Sequence, residues 1–314
     1  MITVRRYSIS DKEVWNGFNL KSKNPLFMFD RNYMDYHSDR FADHSLMFYF
    51  DDKLIAVFPA SGKDGVLYSH EGLTYGGFIS DSSMKQHTMI DCFKALTSYS
   101  KENGIKRIIY KAIPHIYHEQ PAEEDRYALF LIGAKCVKVE ASTVVNLKVP
   151  IKMPKGRKAQ ISRAKREGVV VQELTEHDDF CRFIDLENAV LQKYHDAKAV
   201  HTGDELALLH GRFPGQLHLI GALKDRELIA GTVILEYGQT VHTQYMAAND
   251  EARMIGALDL AVSAAIEKYK TNKLWFDFGK STEGDGTFLN NGLISQKEGF
   301  GGRTNVYETW EIKN

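Results

Sequence analysis

Apolar positions follow two rhythms along this chain, a period of two and a period near 3.6, and the rhythms alternate in blocks. Residues 46–50, Leu-Met-Phe-Tyr-Phe, read as a strand, 51–53 as a turn and 54–60 as a second strand. Residues 68–79 hold another extended piece, broken by glycines. From 84 to 102, Met89, Phe93, Leu96 and Tyr99 fall at helical spacing, and Asn103-Gly104 ends that helix. A strand over 105–113 follows. The order then returns as strand 218–223, turn 224–226, strand 228–237, strand 240–247, helix 252–269 and strand 273–278. In that helix Ile255, Leu258, Val262, Ala265, Ile266 and Tyr269 share one face.

Local sequence supports the echo. Asp51-x-Lys53-Leu54-Ile55-Ala56 parallels Asp225-x-Glu227-Leu228-Ile229-Ala230, with Leu54 and Leu228 174 residues apart. His70 and His242 follow, 172 apart. A nearly constant offset over several elements predicts an internal duplication. With 314 residues, it predicts two domains, 1–150 and 151–314. The order hairpin, strand, helix, strand predicts an α+β fold with mixed α/β sheets rather than regular βαβ alternation.

Composition narrows the function classes. A net charge of −1 removes any global drive toward nucleic acid or membrane. Cys92, Cys136 and Cys181 are far apart and form no C-x-x-C pair, so no structural metal and no disulfide framework is expected. The first residues lack a signal-peptide pattern, and apolar runs fall short of the roughly 20 residues a membrane span needs. The expectation is a cytoplasmic protein without membrane insertion. No G-x-G-x-x-G follows a strand, and Walker A, G-x-S-x-G and H-E-x-x-H are absent from the sequence.

Three stretches concentrate candidate chemistry. Residues 150–168 carry Lys152, Lys155, Arg157, Lys158, Arg163, Lys165 and Arg166, with helical potential over 159–167. They read either as a solvated basic helix at a boundary or as an anion site facing an interdomain cleft, for nucleotide phosphates or an RNA end. Residues 241–258 run from a strand carrying His242, Gln244 and Met246 on one face into a polar turn that opens a helix, a plausible anion cradle. His242 is either a general base or a hydrogen-bonded core histidine. Residues 277–303 place Asp277, Gly279, Lys280, Glu283, Lys297, Glu298 and Arg303 in a glycine-rich stretch after a strand. Arg31, Tyr33, Tyr36 and Arg40 read either as a surface helix or as donors and aromatic faces for a ligand, and Thr202-x-x-Glu205 reads as a capping box beside His201.

Arg253-x-x-Gly256-Ala257-Leu258, between a strand and an amphipathic helix, resembles the acyl-donor loop of the GNAT superfamily, Gln/Arg-x-x-Gly-x-Gly/Ala. It matches the first two anchors and lacks the last small residue. Gln296-Lys297-Glu298-Gly299-Phe300 resembles the Phe-Lys-x-x-Phe of Fem-type peptidyltransferases, with Lys297 and Phe300 matching and Gln296 in place of the first Phe. Residues 69–77, 242–245 and 277–283 resemble FemAB-like GNAT proteins associated with bacterial surface-polysaccharide genes.

The resemblance implies tandem duplicated GNAT-like domains, with 1–150 on the acceptor side and 151–314 on the acyl-donor side. It implies direct acyl transfer to an amine, with no covalent enzyme intermediate. Lys297 would supply charge at the oxyanion, Glu283 or His242 would accept the amine proton, and Asp277 would orient either one. Met246, Arg253, Ile255, Gly256 and Ala257 would hold the donor. His70, Glu71, Tyr75, Gln244, Tyr245 and Arg303 would meet the acceptor. The implied co-substrate is acyl-CoA, such as acetyl-CoA, with no metal. The implied acceptor is a small amine, such as an amino sugar, nucleotide-linked or part of a cell-envelope precursor. The alternatives are an aminoacyl-tRNA-dependent peptidyltransferase of cell-wall precursor synthesis and a non-catalytic double-GNAT binding protein.

Overall fold

A computed structural model describes residues 1–313. In chain order the elements are β1 (Ile2–Arg6), α1 (Lys12–Leu20), α2 (Arg31–Met34), β2 (Leu46–Phe50), β3 (Lys53–Phe58), β4 (Ser61–Lys63), β5 (Val66–Tyr68), β6 (Ile79–Ser80), α3 (Gln86–Glu102), β7 (Arg107–Lys111), α4 (Glu124–Leu131) and β8 (Lys135–Asn146). There follow α5 (Lys155–Arg166), β9 (Val170–Leu174), α6 (His177–His195), α7 (Gly203–Arg212), β10 (Leu217–Lys224), β11 (Glu227–Glu236), β12 (Thr240–Ala248), α8 (Asp250–Ile255) and α9 (Ala257–Tyr269). The chain closes with β13 (Trp275–Lys280), β14 (Thr282–Glu283), β15 (Phe288–Leu289), α10 (Asn291–Glu298) and β16 (Arg303–Lys313).

Two compact units result. One takes 1–141, 282–288 and the chain from 305; the other takes 142–281 and 289–304. A single cut at residue 150 does not describe them, because β16 returns to the first unit and pairs antiparallel with β7, Thr309 opposite Lys111 and Ile312 opposite Ile108. In that unit β1-β2-β3-β6 forms one antiparallel sheet, and β4, β5 and β7 form another ribbon in which β5 and β7 run parallel. Phe48, Phe58, Phe78, Phe93 and Tyr110 pack edge-to-face or tilted in its core. Helix α3 contributes Met89, Phe93 and Leu96 to that core, the face its spacing predicts.

The second unit orders its strands β8-β13-β12-β11-β10-β9, with β8 entering through residues 142–146. Its core joins Val145, Ile234, Val241, Phe276 and Phe278 from the sheet to Val262, Ala265, Ile266 and Tyr269 of α9.

The hairpins carry the duplication. Phe48 pairs with Ala56 and Tyr49 with Leu54, across a bulge. In the second unit Ala222 pairs with Ala230 and Leu223 with Leu228, across a bulge at the same step. Both turns use residues at positive φ, Asp51 and Asp52 in one, Asp225 and Arg226 in the other. The two histidines of the offset pair do not share a setting. His70 lies just after β5 at φ 63°, whereas His242 lies within β12.

Three expectations change. The helix expected over 252–269 is two helices, because Gly256 takes the left-handed conformation, φ 79°, and closes α8 before α9 begins. Residues 68–79 hold the end of β5 and the start of the two-residue β6 rather than one extended piece, since Gly77 is held at positive φ against Tyr110. The surface helix expected around Arg31 is largely buried. The Arg31 guanidinium stacks 3.9 Å over Tyr7 and pairs with Asp35 and Asp43. Thr202 and Glu205 do form a capping box at the start of α7. Among the described residues, no helix is long and apolar enough to cross a membrane.

Candidate active site

Strands β12 and β13 run parallel and pair over three rungs, Thr240 with Trp275, Val241 with Phe276 and His242 with Asp277. Beyond that rung β12 continues to Ala248 and β13 to Lys280 without pairing to each other. On its other edge β12 carries a bulge, with Thr243 opposite Ile234 but Tyr245 opposite Val233, so Gln244 is the extra residue. The bulge resets the alternation. His242 and Tyr245 share one face, and Thr243 and Met246 the other. The single face expected for His242, Gln244 and Met246 is therefore not formed.

At the last rung Asp277 is fully buried. Its Oδ1 accepts from Ser142 Oγ at 2.5 Å and from the Gly279 N–H at 2.9 Å, and its Oδ2 lies 3.3 Å from His242 Nδ1. Gly279 sits at φ 69°, and a Cβ there would lie 3.0 Å from His242 Cε1, so both conformation and space call for glycine. Lys297, 4% exposed, donates to the carbonyls of Gly279 at 2.9 Å and Lys280 at 2.7 Å. Burial lowers its pKa to about 8, with Asp277 acting against the shift. Lys297, Asp277 and His242 thus meet around one turn of β13, whereas Glu283 lies exposed in β14, in the first unit.

Beside the parted strands opens a cavity of about 790 Å³, lined by α5, α6, β12, α8, α9 and α10. Met246, Arg253 and Gly256, expected on the donor side, line it. Ile255, the last residue of α8, and Ala257, the first of α9, instead join the core of the unit. Gln296 lines the cavity, whereas Lys297 does not. Arg253 Nε donates to Ala248 O at 3.1 Å, and its guanidinium stacks 4.3 Å from the Tyr194 ring centroid.

The expected anion cradle is altered. Asn249 Oδ1 caps α8 through Ala252 N at 2.8 Å. Helix α5 packs on the turn between α8 and α9, and a Cβ at Gly256 would lie 2.7 Å from Gln160 O. Asp259 puts a carboxylate in the first turn of α9, paired with Arg157. The positive end of the α9 dipole therefore already has a negative partner.

The residues expected on the acceptor side scatter. His70 is buried and stacks on His37 at 5.2 Å; burial, together with His37 and Lys111, drives its pKa down to about 3 and keeps it neutral. The Tyr75 hydroxyl bonds Tyr117 at 2.7 Å and Tyr307 at 3.0 Å in the core of the first unit. Glu71 and Arg303 are exposed, and Gln244 is half-buried. The Tyr245 hydroxyl lies 2.7 Å from His201 Nδ1, so His201 joins the second unit's site region.

Sequence reasoning missed Glu187. It lines the cavity from α6, is 7% exposed, and its Oε2 has no hydrogen-bond partner among the described residues. Burial pushes its pKa up to about 7. The signal was present: Phe180, Phe183, Ile184, Glu187, Val190 and Leu191 follow one helical stripe, and a carboxylate stands in it. Elsewhere, His177, Cys181 and Asp204 each offer a ligand atom within 4.8 Å of the others, where no metal set was expected. The 2.7 Å contact from His177 Nε2 to Asp204 Oδ1 joins two of them.

Strand β12 thus carries a bulge on one edge, parts from its parallel neighbour β13 on the other, and adjoins a cavity. Residues 155–286 match the family model described as an acetyltransferase (GNAT) domain. The whole fold is similar to FemX, with a TM-score of 0.70 at 10% identity over 99% of this chain and 97% of that one. It is similar to L-PGS from Bacillus licheniformis, with a TM-score of 0.66 at 13% identity over 99% and 93%. It is also similar to a tandem GNAT protein from the clavulanic acid biosynthesis pathway, with a TM-score of 0.57 at 11% identity over 100% and 98%. No curated protein matches the chain. The chain has a FemAB-like double-GNAT fold with a GNAT domain in residues 155–286.

Proposed function

We propose that this protein transfers an acyl group from an activated ester or thioester to an amine of an amino sugar or cell-envelope precursor, with the acyl end of the donor in the cavity of the second unit. The observation that carries this reading is the parting of β12 and β13 after His242 and Asp277, with Met246, Arg253 and Gly256 lining the adjoining cavity. Past His242 and Asp277 the facing edges of β12 and β13 make no ladder hydrogen bonds to each other, so their backbone groups can hold a carbonyl in place for attack. Lys297, fixed on the Gly279 and Lys280 carbonyls, spends two of its three N–H donors there and places a positive charge beside the parted strands. Asp277 and His242 hold the turn that positions it.

Two donors fit a cavity of this kind. Acyl-CoA is the donor that the GNAT resemblance implies. The packing of Gln160 on Gly256 and the Asp259 carboxylate at α9 disfavour a pyrophosphate at that turn, and so favour the aminoacyl ester of a tRNA. The exposed Lys155, Lys158, Arg163, Lys165 and Arg166 of α5 suit an RNA end. Transfer assays with acetyl-CoA and with alanyl-tRNA, each offered glucosamine and a lysine-bearing peptide as acceptors, test the reading. Amide formation with either donor is expected. No transfer with both donors overturns it.

A further inference from the structure

Among the described residues, four ionisable side chains line the cavity: Arg157, Glu187, Arg253 and Asp259. Arg157 and Asp259 pair with each other, and Arg253 bonds the Ala248 carbonyl and stacks on Tyr194. Among the described residues Glu187 has no cation paired with it, and desolvation is the cause of its raised pKa. A buried carboxylate oxygen without a hydrogen bond is costly, and Oε2 of Glu187 is one, in a wall that also carries Val190, Leu191, Met246 and Leu293. A carboxyl in the wall of a cavity, with one oxygen unpartnered, is placed to meet a ligand.

The other groups of this unit that could accept a proton are less suited. His242 is buried against Asp277, and it does not line the cavity. Asp259 is held by Arg157. A base works best with a pKa close to the operating pH, and Glu187, at about 7, meets that condition. Among the described residues, the ionisable groups facing its surroundings are Tyr245 from β12, whose hydroxyl it acts on electrostatically, Arg157 from α5, Arg253 from α8 and Asp259 from α9.

We propose that Glu187 is the proton acceptor for the attacking amine, a role that rests on the transfer reading above. The amine nitrogen forms a bond to the carbonyl carbon, and the carbonyl π pair moves to oxygen. The Glu187 carboxylate takes the N–H proton. When the carbonyl re-forms, the bond to the leaving oxygen or sulfur breaks, and Glu187 returns the proton to that atom. The products are an amide, the freed alcohol or thiol, and the starting carboxylate.

The test uses the full chain, with the donor and acceptor pairs named above, and compares wild type with Glu187→Gln and Glu187→Asp. For wild type, kcat/KM is expected to rise through a pKa near 7, before the fall above pH 8 expected from Lys297. Glu187→Gln is expected to lose about 100-fold or more in kcat, keep the donor KM and lose that limb of the profile. Glu187→Asp is expected to recover part of the rate and the limb, which a merely structural role would not give. Thermal unfolding verifies that both variants are folded. Wild-type transfer with Glu187→Gln unchanged in kcat or in pH profile overturns the role and leaves the transferase reading standing. Absence of wild-type transfer with every pair overturns both.

Discussion

His242 Nδ1 lies 3.3 Å from Asp277 Oδ2 on the last rung at which β12 and β13 still pair. The contact closes a network in which one buried carboxylate also holds Ser142 Oγ and the Gly279 N–H. Removing the carboxylate leaves these buried donors without their acceptor. Asp277→Ala is expected to destabilise the protein by about 3 kcal/mol, and Asp277→Asn by less, because its amide oxygen can still accept. Urea denaturation with the slope held constant checks both.

Gly279 is fixed by two constraints, its φ of 69° and the His242 ring 3.0 Å from where a Cβ would stand. Gly279→Ala is expected to cost about 1–2 kcal/mol and to displace the Lys280 carbonyl that Lys297 holds. Thermal unfolding should show a lower Tm, with a larger loss for Gly279→Val.

Lys297 has a folded pKa of about 8, below its ordinary 10.5. Between those values the unfolded chain binds more protons, so Lys297 makes stability rise with pH across that window. Lys297→Met should flatten the rise. If the charge serves the oxyanion, kcat of wild type should fall above pH 8, and the variant should lose about 100-fold at pH 7. Denaturation and rate profiles from pH 7 to 10 check the two limbs.

Glu187 has the opposite sign. Its folded pKa of about 7 exceeds the ordinary 4.5, so the folded chain binds more protons between them and stability falls as pH rises through that window. At pH 8 the buried carboxylate costs roughly 3 kcal/mol by that shift. Glu187→Gln is expected to be more stable than wild type at pH 8 and close to it at pH 4.5, a gain in stability coupled to a loss of rate. Paired denaturation curves at the two pH values read it directly.

Much of the frame was legible in the sequence. The two hairpins announced themselves through alternation and turn residues, and the matched hexapeptides fall on bulges at equivalent steps. What stayed hidden depends on backbone conformation and tertiary neighbours. The 3.6-residue pattern runs straight through Gly256, because the apolar face of α8 and α9 persists across the left-handed break. The bulge at Gln244 needs the partner strand to be seen. Glu283 follows Asp277 closely in sequence yet falls in the other compact unit, since the chain leaves β13 immediately after Ser281. Lys297 was found by its motif, but its anchoring on main-chain carbonyls has no sequence signature. Glu187 was readable as a lone carboxylate in an apolar stripe, and its neighbours in α6 drew no attention to it.

The most direct measurement is calorimetric titration of alanyl-tRNA and acetyl-CoA into wild type and into Leu293→Trp, a substitution that fills the cavity from its half-exposed wall on α10. Wild type is expected to bind at least one donor, with the variant folded and weaker by tenfold or more. Equal affinity in the two proteins would contradict a donor seated in that cavity.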